Sequence, residues 1–67
     1  MNFNELRSEM ILHDINNDTM ASILKISRSA WYRKMSGKVD FTREEIQSII
    51  EALHLCPEKV VSIFFGD

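Results

Sequence analysis

Residues 15 to 38 read Ile15-Asn16-Asn17-Asp18-Thr19-Met20-Ala21-Ser22-Ile23-Leu24-Lys25-Ile26-Ser27-Arg28-Ser29-Ala30-Trp31-Tyr32-Arg33-Lys34-Met35-Ser36-Gly37-Lys38, and two helices with a very short link are written into them. Asn16 suits the N-cap of the first, because its side chain can accept from an N–H that the helix leaves unpaired. Asp18 then stands in the first turn, where the positive end of the helix favours a carboxylate. Met20, Ala21 and Leu24 fall on one side at helical spacing. Lys25-Ile26-Ser27 interrupts that period, and Ser27 is a good cap for a second helix running to about Met35, closed by Ser36-Gly37. So short a link forces a sharp crossing and excludes an antiparallel hairpin.

The same periodicity extends outward in both directions. Upstream, Phe3, Leu6 and Met10 form an apolar stripe with Ile11 beside it, ending near His13-Asp14. Downstream, Thr42 and Glu45 match a capping box, and Phe41 and Ile46 occupy the positions of a hydrophobic staple. Ile46, Ile49, Ile50 and Leu53 follow as a stripe. Pro57 suits the first turn of a short fifth helix with Val60, Ile63 and Phe64 on one side. Two glycines and one proline in 67 residues leave too few turn-formers for a many-stranded sheet. The expected fold is all-α, a compact bundle of five short helices forming one domain over residues 1–67.

The third helix has two unlike faces. Trp31 and Met35, four apart, point inward, while Arg28, Ser29, Tyr32 and Arg33 share a polar side without an acid. Charge is unevenly spread as well. Residues 25 to 43 hold Lys25, Arg28, Arg33, Lys34, Lys38 and Arg43 against Asp40, six cations and one acid, or +5. The remainder holds two cations and nine acids, or −7, so the overall −2 conceals a basic segment. Concentrated positive charge is the footprint of phosphate contact. A guanidinium can donate twice to guanine O6 and N7, and hydroxyls reach phosphates or base edges.

On these residues the chain resembles the Cro and lambda-repressor-like helix-turn-helix regulators, also called the xenobiotic-response-element family. Its marks here are a capped scaffold helix with central Ala21, a tight turn, Ser27-Arg28-Ser29, and Gly37-Lys38 at the close. The resemblance implies a lambda-repressor-like helix-turn-helix at about residues 16–36 and a recognition helix at about 28–35 lying in the major groove. It implies a sequence-specific double-stranded-DNA-binding protein, a transcriptional regulator of the small phage-repressor or Cro type. By the family's pattern Arg28, Ser29 and Arg33 touch bases, and Tyr32 shares their face. Asn17, Ser27, Lys38 and Arg43 are the phosphate contacts. Three positions depart from that pattern. Lys25 stands where the turn usually has glycine, Lys34 where an aliphatic residue is common, and Met10 and Met35 where many relatives have a buried Arg–Glu pair. An apolar substitute for such a pair can be neutral or stabilising.

The rest of the chain carries little chemistry. Trp31 reads as a core anchor, and His13 and His54 have no partner at metal-ligand spacing. Cys56 reads as a buried or capping thiol, and Glu44 and Glu45 as first-turn acids. No catalytic residue, metal, cofactor or small-molecule ligand is expected. Val61 and Phe65, four apart beside the inward stripe, form a second apolar stripe that fits a homodimer interface, with burial against Phe3 as the alternative. A two-fold dimer suits a palindromic operator. The polar beginning and the lack of a bilayer-length apolar run lead to a cytoplasmic expectation with no membrane partner. The rival function is a helical protein-interaction module, an antirepressor or antitoxin-like adaptor that keeps the fold; it would present apolar anchors on the third helix in place of Arg28, Ser29, Tyr32 and Arg33.

Overall fold

Each of the first four helices starts on a side-chain cap and stops on a left-handed residue. In the computed structural model, which describes residues 1–66, they are α1 (Phe3–Leu12), α2 (Asn17–Leu24), α3 (Arg28–Met35) and α4 (Arg43–Leu53). The caps are Asn2, Asn16, Ser27 and Thr42, whose side-chain oxygens accept from Glu5, Thr19, Ala30 and Glu45 backbone N–H groups at 2.8–3.1 Å. The capping box closes as its residues imply, since Glu45 Oε1 accepts from the Thr42 N–H at 2.8 Å.

The stops are Asp14, Lys25, Gly37 and His54, with φ of 58°, 59°, 84° and 49°. After each, the next N–H reaches back five residues: Ile15 to Met10, Ile26 to Ala21, Lys38 to Arg33, Leu55 to Ile50, at 2.8–3.1 Å. This is the Schellman arrangement, which satisfies carbonyls the helix leaves open. Three of the corners deliver an apolar residue, Ile15, Ile26 or Leu55, onto the core. The fourth delivers Lys38 to solvent. Only Gly37 adopts the left-handed region without steric cost; the other three residues each give up about 1 kcal/mol there.

One cluster forms the core. α1 supplies Leu6 and Met10, α2 Met20, Ala21 and Leu24, α3 Trp31 and Met35, α4 Ile49 and Leu53, and the C-terminal helix Ile63. Met10 and Met35, at the positions expected to be apolar, both belong to it. Ile11 does not: it is 80% exposed, so the α1 stripe is narrower than its sequence suggested.

The fifth helix, α5 (Pro57–Val60), opens into π-helical turns over Val61–Phe65. Ile63 is buried and Val60 and Phe64 half-buried, as the spacing implies. Gly66 follows where a Cβ would lie 2.5 Å from the Ser62 carbonyl oxygen, too close for any other residue without a backbone shift. The two ends of the chain meet. The Asn2 N–H donates to the Ile63 carbonyl at 2.7 Å, and Glu5 accepts from Ser62 Oγ and Lys59 Nζ. The Ser62 hydroxyl, then Lys59, holds the Glu5 carboxyl below the usual range, and Glu5 in turn raises Lys59. Cys56 is exposed and its side chain does not cap α5, contrary to the sequence reading. Its thiol instead adds to the bond from the Glu58 N–H that lowers the Glu58 carboxyl. Among the described residues there is no strand, and no helix is long and apolar enough to cross a membrane.

Candidate nucleic-acid interface

α3 divides as its sequence implies. Trp31 is fully buried and Met35 nearly so, while Arg28, Ser29, Tyr32 and Arg33 are all exposed. Trp31 fixes the helix in place. Its ring meets Phe41 at a centroid distance of 5.7 Å and a tilt of 56°, the edge-leaning geometry aromatic pairs favour. Its indole N–H donates to Asn17 Oδ1 at 2.8 Å, tying α3 to the first turn of α2.

That bond orients Asn17. Indole is a donor only, so the carbonyl half of the Asn17 amide faces Trp31 and the NH2 half is left to donate elsewhere. Ser27 Oγ accepts from the Ala30 N–H at 3.0 Å, and its own hydroxyl proton stays available. Two residues expected to meet phosphate therefore carry structural acceptors and keep outward donors. Lys38 and Arg43, on either side of the α3–α4 connection, are both exposed.

Two cations of the basic segment behave differently from their sequence reading. Lys34 turns inward and is 9% exposed. Its Nζ donates to Glu45 Oε1 at 2.7 Å and to the Asp40 carbonyl at 3.3 Å, and lies 5.9 Å from the Phe41 ring centroid. Burial acts to raise the Glu45 carboxyl, but bonds from Lys34 and Thr42 outweigh it and leave the group below its usual range. A buried ion pair thus joins α3 to α4, at a position where an aliphatic residue is common in the resembled family. Arg28 meets Asp18, Nη2 to Oδ2 at 2.6 Å, across the α2–α3 crossing. Local charge is accordingly smaller than +5. Among the described residues Lys25, Arg33, Lys38 and Arg43 have no carboxylate within 4.0 Å, so four cations remain free.

Neither ion pair could be read from composition, since their partners lie eleven and ten residues apart. The Trp31–Asn17 bond did leave a signal, because a buried indole N–H needs an acceptor. The fold also brings His13 and His54 together, with ring centroids 6.1 Å apart and Glu9 3.9 Å from His13, a proximity that spacing did not suggest. Val61 and Phe65 are 59% and 78% exposed, so the alternative of burial against Phe3 does not hold.

The architecture is thus a small all-helical domain with a short, firmly seated helix presenting a basic and hydroxyl-rich face. Residues 4–64 match the BetR domain, and the chain belongs to that family. The BetR domain is a small helical domain found in transcriptional regulators, consistent with DNA as partner. No curated protein and no solved structure matches the chain.

Proposed function

We propose that this chain is a sequence-specific double-stranded-DNA-binding transcriptional regulator of the small phage-repressor or Cro type. In this reading α2 and α3 form a helix-turn-helix, and α3 lies in the major groove with Arg28, Ser29, Tyr32 and Arg33 toward the bases. Asn17, Ser27, Lys38 and Arg43 hold the flanking phosphates. The observation that carries the reading is the division of α3 into a buried side locked by Trp31 and an exposed side of donors. A rigid helix is what base reading needs, because hydrogen bonds to base edges discriminate only when their donors are held in place. Membership of a family found in transcriptional regulators supports it independently. The apolar anchors expected of an adaptor that binds protein are not on this face, where Arg28, Ser29, Tyr32 and Arg33 stand instead.

The reading includes a homodimer through Val61 and Phe65, supported by the exposure of both on the C-terminal helix. It includes no catalytic activity and a cytoplasmic setting in one domain. Selection of bound sites from a random duplex pool tests it. Recovery of a short palindrome is the expected result; recovery of no preferred sequence at any salt concentration would refute it.

A further inference from the structure

The Asp18–Arg28 pair lines a shallow polar depression together with Asn16, Asn17 and Tyr32. Both side chains are more than half exposed, at 58% and 64%. Exposed pairs contribute little to folding, so this one has no evident structural task. Its effect falls on Arg28, the first residue of α3. A lone arginine at such a position is drawn to the nearest phosphate whatever the sequence, because that attraction needs only charge.

We propose that Asp18 is a specificity determinant that makes Arg28 a reader of bases and keeps it off phosphates. The inference rests on the DNA-binding reading above. Asp18 engages Arg28 through Nη2, and a guanidinium has five N–H donors, so the bond leaves a fork free for a guanine edge. Holding one corner of the planar group also restricts the rotamers that would otherwise be lost on binding. The carboxylate meanwhile offsets the charge of Arg28 and so weakens that side chain's pull on any phosphate. It thereby weakens indiscriminate binding while leaving the base-reading donors in position. Asp18 touches no base itself; it acts as a positioning residue.

The test compares wild type, Asp18→Asn, Arg28→Ala and the double variant on two duplexes of equal length, one carrying the wild type's selected site and one unrelated. Asp18→Asn is expected to bind the unrelated duplex about threefold to tenfold more tightly, with a log–log salt slope steeper by about one phosphate contact. Its affinity for the selected site should change less than about twofold, so discrimination falls, and base preference should relax at one position per half-site. In the Arg28→Ala background, Asp18→Asn should leave discrimination unchanged. Helical circular dichroism of each variant confirms that the fold is retained. Equal tightening on both duplexes, or an effect that survives in the Arg28→Ala background, would reduce Asp18 to one more surface acid and overturn the inference. Those outcomes leave the DNA reading intact, whereas a wild type that binds no duplex removes that reading and the inference with it.

Discussion

Lys34→Met isolates the most unexpected interaction in the molecule. Lys34 and Glu45 have side chains only 11% and 12% exposed, with Nζ and Oε1 2.7 Å apart. Removing one partner of a fully buried pair costs about 3–5 kcal/mol, mostly because a charge is left without compensation. Here Glu45 keeps its bonds from the Thr42 N–H and supplies the capping box, so it is not wholly abandoned. The Met side chain also restores apolar contact against Phe41. The expected cost of Lys34→Met is therefore reduced to about 2–3 kcal/mol. A chain of this size has roughly 3–10 kcal/mol in total, and the loss should lower Tm by about 10–20 °C. Glu45→Gln alone keeps the cap but strands Lys34, while Lys34→Met with Glu45→Gln removes both charges and should recover most of the deficit. The acid limb supplies a second signature. Glu45 titrates below its unfolded value, so its stabilisation is complete above that value and is lost as pH falls through the folded one. Lys34→Met should flatten that dependence. Urea and thermal denaturation followed by circular dichroism, from neutral pH to about pH 3, read the wild type and all three variants across the carboxylate range. A neutral or stabilising Lys34→Met, with no coupling in the cycle, would refute the buried pair and return Lys34 to the basic surface.

Three further predictions concern the outer surface. Arg33→Ala should cost about 1–3 kcal/mol on the selected site and relax base choice at one position per half-site, whereas Lys38→Ala and Arg43→Ala should weaken all duplexes alike and make the salt slope shallower by about one each. Titration against every single-base variant of the site separates the two behaviours, and uniform weakening by Arg33→Ala would make that residue a phosphate clamp. Replacing Val61 and Phe65 together with Asp should leave helical dichroism intact and halve the mass in sedimentation; a wild type that is monomeric at high concentration would refute a preformed dimer. Lys25→Gly should stabilise the fold by up to about 1 kcal/mol in denaturant titrations, because Lys25 sits at φ 59° in a corner glycine enters freely, and a destabilised variant would contradict that account.

What could be read in advance was local. Caps Asn16, Ser27 and Thr42, the end of α1 near His13-Asp14 and the Pro57 start each depend on neighbours within a few residues, and each stands where the sequence implies. Periodicity carried the core nearly as far, but Ile11 lies exposed on α1, and Ile46 and Ile50 are half-buried outside the central cluster. The proposed interface was legible as residue types on one face of α3, but not as a charge pattern. Lysine at position 34 reads as solvent-facing, and only the crossing of α3 and α4 supplies the carboxylate that takes it inside. Asp18 likewise reads as a first-turn acid, and its bond to Arg28 exists because the short Lys25–Ser27 link sets α2 against α3. The opening of the last helix into π turns at Val61 has no counterpart in the spacing of Val60, Ile63 and Phe64, which a regular helix serves equally well.

Trp31 is the only tryptophan in the chain, and it lies one hydrogen bond beneath the proposed contact surface. An indole shielded from water emits at shorter wavelength than a hydrated one, and its excited state responds to the group its N–H holds. Here that group is Asn17, whose other half faces outward. A phosphate drawing on the Asn17 NH2 would polarise the carbonyl that the indole sees, since linked hydrogen bonds reinforce one another. The fold has therefore tied a natural fluorophore to its own surface, and on the proposed reading light emitted from the centre of the protein would report both the seating of α3 and what arrives at the start of α2, with no added label.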